Sequence, residues 1–207
     1  QQQITRIAQA GGIKLLGPNS IGIASPSKHI FTAFGAALEA KKKVKGHVGF
    51  VSQSGAMGSA LLSRAWEQGA GFSRWISVAN EADLTISDFI HALSEDDETK
   101  VISAFMESIK DAKAFEHATK KALTKKKPVI VYKTGRSIVG KRAVQSHTGS
   151  IAGDDNVYSA AFEKFGVLRA DTIDELIDVS RAFEIQPLPK GNRIGILTAS
   201  GGACSVV

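Results

Sequence analysis

The residues best placed to do chemistry fall in three short segments. Ser146-His147-Thr148-Gly149-Ser150 surrounds a histidine with small side chains, at the end of a long loop running from Thr134 to Ser150. Met106-Glu107-Ser108 places a carboxylate directly after an apolar run, and Ser52-Gln53-Ser54-Gly55-Ala56-Met57-Gly58 is a small-residue turn that opens a helix. A helix that starts in such a turn presents free backbone N–H groups at its positive end, which suits a phosphate. The loop ending at Ser150 also runs into a helical pattern, so Thr148, Gly149 and Ser150 would form a second such end. One imidazole, one carboxylate and two helix N-termini make a coherent set for a phosphohistidine. A phosphoryl group on a ring nitrogen carries roughly two negative charges at neutral pH, by analogy with phosphate esters, and two helix ends would offset them without arginines. A carboxylate on the other ring nitrogen would fix the tautomer and leave the attacking nitrogen free.

These segments need a scaffold that brings them to one place, and the order of elements supplies it. Strands are expected at 48–52, 72–78, 101–106 and 129–133, with a short one at Val167-Leu168. Helical spacing appears at 55–68, where Met57, Leu61 and Ala65 repeat every fourth residue, and again at 86–93, 112–124, 151–165 and 172–184. Strands alternating with helices imply a parallel sheet covered on both faces. Right-handed crossovers make this an open, doubly wound α/β sheet, and the five-stranded flavodoxin-like form is the expected one. In such a sheet the strand C-terminal ends share one edge, and all three segments follow strand ends.

Both ends of the sequence read as pieces of neighbouring domains. Gln1 to Ala10 is helix-like and is followed by Gly11-Gly12 and an expected strand at 13–16. Gln186-Pro187-Leu188-Pro189-Lys190-Gly191 reads as a linker, with a fresh strand expected at 193–198 before Ser200-Gly201-Gly202-Ala203.

Composition narrows the class. Of 207 residues, 43% are hydrophobic and 22% charged, the balance of an ordinary globular protein with enough apolar material for a core. No apolar run is long enough to cross a bilayer, and no signal-peptide pattern opens the chain. Cys204 is the single cysteine, so an internal disulfide framework is excluded and a reducing cytoplasm is the simple expectation. The net charge of +6 comes largely from lysine runs at 41–45 and 120–127, which read as solvated surface. They lack the interleaved aromatics of a nucleic-acid face.

The ordered set of segments resembles the NDP-forming acyl-CoA synthetases, the family of ADP-forming acetyl-CoA synthetase and succinyl-CoA synthetase. The matching pieces are Gly17-Pro18-Asn19-Ser20-Ile21-Gly22, Val51 to Ala56, Gly71-Phe72-Ser73, Asn80-Glu81-Ala82-Asp83, Met106-Glu107-Ser108, Lys133 to Ser137 and Ser146 to Gly153, with 187–202 fitting as well. The resemblance implies that residues 1–23 are the tail of a CoA-binding domain, 24–188 the flavodoxin-like domain with the active histidine, and 189–207 a linker and the start of a second flavodoxin-like domain. It implies His147 as the phosphorylated residue and Glu107 as its orienting partner. Ser54 and Gly55 begin one phosphate-binding helix, Thr148, Gly149 and Ser150 the other, and Asn19 lies near the phosphate. CoA, phosphate and ATP/ADP with Mg are the implied ligands, the nucleotide sitting on an ATP-grasp domain or subunit. A small carboxylic acid is the implied substrate, with homo- and hetero-oligomeric assembly both left open. One departure is visible: Ala79 stands where the family carries glycine.

Other readings stand beside these. His29, His47, His91 and His117 lack ligand spacing and read as structural or surface residues. On composition alone His147 is an exposed loop histidine, and it is the resemblance that turns it into a phosphoryl carrier. Glu107 could instead pair with a lysine. Ser54 occupies the place of a hydrolase nucleophile, but residue 52 is serine, so the G-x-S-x-G pattern fails and helix capping explains it. Asp83 and Asp88 could hold magnesium or cap a helix. A phosphorelay receiver would need acidic residues at the first strand's end, and 48–55 contain none. The alternative function is a non-catalytic, ligand-binding module of the kind attached to some protein lysine acetyltransferases. Loss of the active histidine would mark such a module, and here His147 is present.

Overall fold

The computed structural model describes residues 1–35, 43–137, 140, 142 and 154–202. The chain begins with helix α1 (Gln2–Ala10), then strand β1 (Gly22–Ser25), a 3-10 turn at Pro26–Lys28 and β2 (Ile30–Ala33). β3 (Lys45–Ser52), α2 (Gly55–Glu67), β4 (Phe72–Ser77), α3 (Ile86–Glu95), β5 (Val101–Met106) and α4 (Ala112–Thr124) follow. β6 (Val129–Lys133), α5 (Asp155–Phe165), β7 (Val167–Ala170) and α6 (Ile173–Ile185) complete the described elements.

One seven-stranded sheet has the order β2-β1-β4-β3-β5-β6-β7. Its last five strands are parallel, and taken alone they run 2-1-3-4-5, the flavodoxin-like order. The doubly wound expectation is met.

Alternation along the strands divides the core between the two faces, because successive side chains point opposite ways. Phe50, Phe72, Trp75, Val101, Phe105 and Ile130 pack with Leu61, Leu62 and Trp66 of α2 and Leu176 and Ile177 of α6. Val51, Ile76, Ile102, Met106 and Val131 face Ile90 of α3, Phe115 of α4 and Phe162 of α5. Helix starts are fixed by side chains: Ser54, Asp111, Asp154 and Thr172 each accept from a backbone N–H in the first turn, and Thr85 and Asp88 form a reciprocal capping box.

The structure adds an element absent from the sequence reading. β1 and β2 form an antiparallel hairpin whose first strand pairs with β4, extending the parallel sheet on that side. The dividing line expected between residues 23 and 24 therefore falls inside β1. No strand forms at 13–16; residues 15–18 instead lie along 80–84, with Leu84, Ala82 and Asn80 donating to the carbonyls of Leu15, Gly17 and Pro18. Nor do residues 193–198 form a strand: Ile194 and Leu197 are exposed, and an extended segment without a neighbour has nothing to pair its N–H and C=O groups. Helix α5 begins at Asp155 and Asp154 caps it; residues 151–153, the start expected for it, lie outside the described residues.

Candidate functional site at the C-terminal sheet edge

β3, β4, β5 and β6 end at Ser52, Ser77, Met106 and Lys133, and the expected chemistry gathers where the chain leaves them. Ser54 is the N-cap of α2, its hydroxyl accepting from Met57 N–H at 3.3 Å. The first intrahelical bond is Gly58 N–H to Ser54 C=O, so the N–H groups of Gly55 and Ala56 precede the helical ladder. A Cβ on Gly55 would stand 3.1 Å from Ile21, so glycine lets the helix start lie close against residues 17–22. Ser52 Oγ donates to Ser54 C=O at 2.6 Å and holds the turn from below.

Glu107 is buried at the end of β5. With Gln53, Ala79, Asn80, Glu81, Ser108, Lys110 and Gln1 it lines a small cleft. Glu81 is a second buried acid in that wall. Burial pushes its carboxyl above the usual carboxylate range, while the Gln53 amide, the Ile86 N–H and the Lys110 ammonium draw it down. Lys110 itself reaches across to the carbonyls of Asn80 and Glu81 at 2.6 and 2.8 Å. Asn19 is exposed with φ +64°, next to Pro18, whose carbonyl accepts from Asn80. It thus borders the same turn. Ala79 has φ +50°, a conformation that glycine adopts without a Cβ clash, so the departure seen in the sequence falls on a strained position.

Lys133 closes β6, ahead of the segment of the sequence that holds His147. It is 1% exposed, donates to Thr134 C=O at 2.6 Å and sits 4.5 Å from the centre of the Tyr158 ring. Arg136 pairs with Asp171 at 2.6 Å and ties the segment after β6 to the turn after β7. His147, Thr148, Gly149 and Ser150, and Cys204, lie outside the described residues. Among the described residues, Glu107 and the Ser54-Gly55 turn follow the ends of neighbouring strands and are linked through Gln53, while Asn19 follows Pro18, which pairs with Asn80 of the cleft wall.

The remaining candidates have structural posts. Asp88 belongs to the capping box, and Asp83 accepts from Leu15 N–H at 2.9 Å. His91 and His117 stack on each other at 5.6 Å between α3 and α4. Lys120 pairs with Glu116, and Lys121 and Lys125 with Glu95, as expected of a solvated face. Gln53, Glu81 and Lys110 are the wall residues whose part the sequence does not reveal. Gln53 and Glu81 stand inside quoted motifs, yet only the fold shows that they meet.

Residues 45–183 match the model of the succinyl-CoA ligase like flavodoxin domain. The chain belongs to this family. Among similar members, the alpha subunit of acetate–CoA ligase [ADP-forming] II from Pyrococcus furiosus is 44% identical over 202 residues, covering 98% of this chain and 43% of the relative. Acetate–CoA ligase [ADP-forming] from Methanocaldococcus jannaschii is 41% identical, covering 98% of this chain and 28% of that protein. The dinucleotide-forming acetyl-coenzyme A synthetase 1 of Ca. Korarchaeum cryptofilum, solved with phosphate and ADP, superposes with a TM-score of 0.89 at 36% identity, over 97% of this chain and 43% of that one. The chain thus spans less than half the length of these members of the family. Ser54, Gly55 and Glu107 fall inside the matched range. No helix among the described residues is long and apolar enough to cross a membrane.

Proposed function

We propose that this chain is the phosphoryl-carrying domain of an ADP-forming acyl-CoA synthetase, working between a CoA-binding domain and an ATP-grasp domain or subunit. The reaction is acid + CoA + ATP to acyl-CoA + ADP + phosphate, and it is reversible. In the acyl-CoA-cleaving direction, phosphate attacks the thioester carbonyl of acyl-CoA, and CoA leaves as the thiol. The imidazole of His147 then takes the phosphoryl group: a P–N bond forms as the P–O bond of the acyl phosphate breaks, and the carboxylate leaves. ADP next accepts the phosphoryl group, restoring the imidazole. The observation that carries this reading is the buried Glu107 at the end of β5, beside the Ser54-capped start of α2. These are a general partner for a ring N–H and a ready anion-binding helix end.

In this reading Gly55 and Ala56 N–H groups hold phosphate oxygens, with Thr148, Gly149 and Ser150 serving the same anion from the His147 loop and Asn19 closing the rim. Glu107 accepts from the imidazole and leaves its other nitrogen to attack. Magnesium belongs with the nucleotide on the ATP-grasp side. The substrate class is small carboxylic acids, the assembly a homo- or hetero-oligomer, and the compartment the cytoplasm. The residues before β1 are the close of the CoA-binding domain, β1 to residue 188 the ligase domain, and 189–207 the lead into a further flavodoxin-like domain.

The test uses the complete enzyme with γ-labelled ATP and magnesium, quenched in alkali. Wild type is expected to carry acid-labile, alkali-stable label, and His147→Ala to carry none while its thermal unfolding stays unchanged. A folded, nucleotide-binding wild type that takes up no label would sink the reading in favour of a ligand-binding regulatory module.

A further inference from the structure

The peptide that carries Glu107 has already left the sheet, yet it is held as firmly as a strand. β3 ends at Ser52, and Gln53 N–H makes one more bond to Phe105 C=O at 3.1 Å. Beyond that point the two chains diverge: Ser54 turns into α2, and Glu107 and Ser108 run towards α4. The Gln53 side chain fills the gap. Its Oε1 accepts from Glu107 N–H at 2.6 Å and from Ser108 N–H at 3.0 Å, while its Nε2 donates to Ser108 C=O at 2.9 Å. One side-chain amide thereby pairs a segment that has no neighbouring strand there. Gln53, Glu107 and Ser108 are all less than a tenth exposed, so water is poorly placed to replace these bonds.

We infer that Gln53 is a positioning residue for Glu107, fixing the backbone from which that carboxylate reaches the phosphoryl-carrying histidine. The inference rests on the reading of Glu107 and His147 given above. Only a side chain that both accepts twice and donates can do this. Leucine would leave two buried N–H groups and a carbonyl unpaired. Glutamate keeps the acceptor but loses the donor, and it puts a further negative charge beside Glu81 and Glu107. Among the described residues the charged groups facing position 53 are Glu81 from the β4–α3 turn, Glu107 from the end of β5 and Lys110 from the segment before α4. The Gln53 amide also interacts with the Glu81 carboxyl, so the same group braces both acids of the cleft.

A protonated glutamic acid has nearly the shape of glutamine, with one acceptor oxygen and one O–H donor. That gives a signature which a merely structural side chain would not produce. In the complete enzyme, the rate of label transfer from γ-labelled ATP to His147 would be followed by rapid alkaline quench from pH 8.5 to pH 5.5. Gln53→Glu is expected to be slower than wild type by about 100-fold at pH 8.5, the cost of a displacement near one ångström at a reacting group. Its deficit should shrink steadily as pH falls. Gln53→Ala, which puts no titrating donor at position 53, should lack this recovery at low pH, with KM for ATP as in wild type. Wild-type rates in either variant, or a pH-independent deficit in Gln53→Glu, would overturn the inference. Should Gln53→Glu fail to fold, Gln53→Asn, which is one methylene too short, must show lowered kcat with unchanged KM, and a wild-type kcat there counts against it equally. Label that persists in His147→Ala would remove the phosphohistidine reading and this inference with it. Label lost there but unaltered in the Gln53 variants would remove only the inference.

Discussion

At the scale of single residues, the cleft is defined by groups held in uncomfortable states. Glu81 is a buried acid whose carboxyl burial pushes upward, so its native form binds a proton more readily than the unfolded chain does. Stability should therefore fall as pH rises from the unfolded value of 4.5 through the higher native value, where the charged form has to be buried. Glu81→Gln keeps an acceptor for Ile86 N–H, which Glu81 holds at 2.6 Å, and removes the charge. The variant should unfold at a higher temperature than wild type at pH 8, and the gain should vanish as pH drops towards 4.5. Thermal unfolding across that range checks it. Two positions earlier, Ala79 holds φ +50°. Ala79→Gly should raise stability by about 0.5 kcal/mol, the relief of a left-handed Cβ clash partly offset by a freer unfolded chain. A lower urea midpoint in the variant would contradict it.

At the scale of elements, close approaches and caps decide what the sheet tolerates. Gly46 and Gly71 face each other where β3 and β4 begin to pair, and a Cβ on Gly71 would fall on the Lys45 carbonyl. Gly71→Ala must push the two strands apart, at about 2 kcal/mol by the usual cost of overpacking, readable as a lower urea midpoint. Ser54→Ala removes the α2 cap and should cost about 1 kcal/mol, a loss measurable in the same titration. The long helices and parallel strands were open to sequence reading because periodicity and caps agree: 101–106, 112–124 and 129–133 are found with the bounds expected. The β1–β2 hairpin was not, because each strand has only four residues and its apolar face is completed by β4, some fifty positions away. Its one signal was two apolar runs, Ile21-Gly22-Ile23-Ala24 and Ile30-Phe31, flanking Pro26-Ser27-Lys28-His29. For the site, Ser54 and Glu107 could be placed at strand ends by order alone. Gln53, Glu81 and Lys110 could not, since their meeting depends on how three separate turns cross the sheet edge.

At the scale of the whole molecule, a charge network ties distant parts of the sequence together. Arg74 in β4 reaches Glu98 at 2.6 Å and Asp96 at 2.9 Å, and also bonds Ser25 and Ser27 of the hairpin. Glu98 accepts from Ser27, Arg74 and Lys28, bonds that hold its carboxyl down to about 2. A depressed carboxylate stabilises the fold above its unfolded value of 4.5, and that contribution is lost as pH falls towards 2. Glu98→Gln should therefore be less stable than wild type near pH 7 and indistinguishable from it near pH 2. Urea midpoints measured between those limits decide the matter. A gap that stays constant with pH would assign the loss to packing.

The sheet order has a consequence for how the chain is made. The β1–β2 hairpin leaves the ribosome before its partner β4, which is finished only when residue 77 has been added. Until then the hairpin has no sheet to join, and two-stranded hairpins alone are marginal in water. When β4 docks beside β3, the waiting hairpin can cover its outer edge at once. That side of the growing sheet then ends on the four-residue β2, a shorter template for another nascent chain than β4 would be, before β5, β6 and β7 extend the other side.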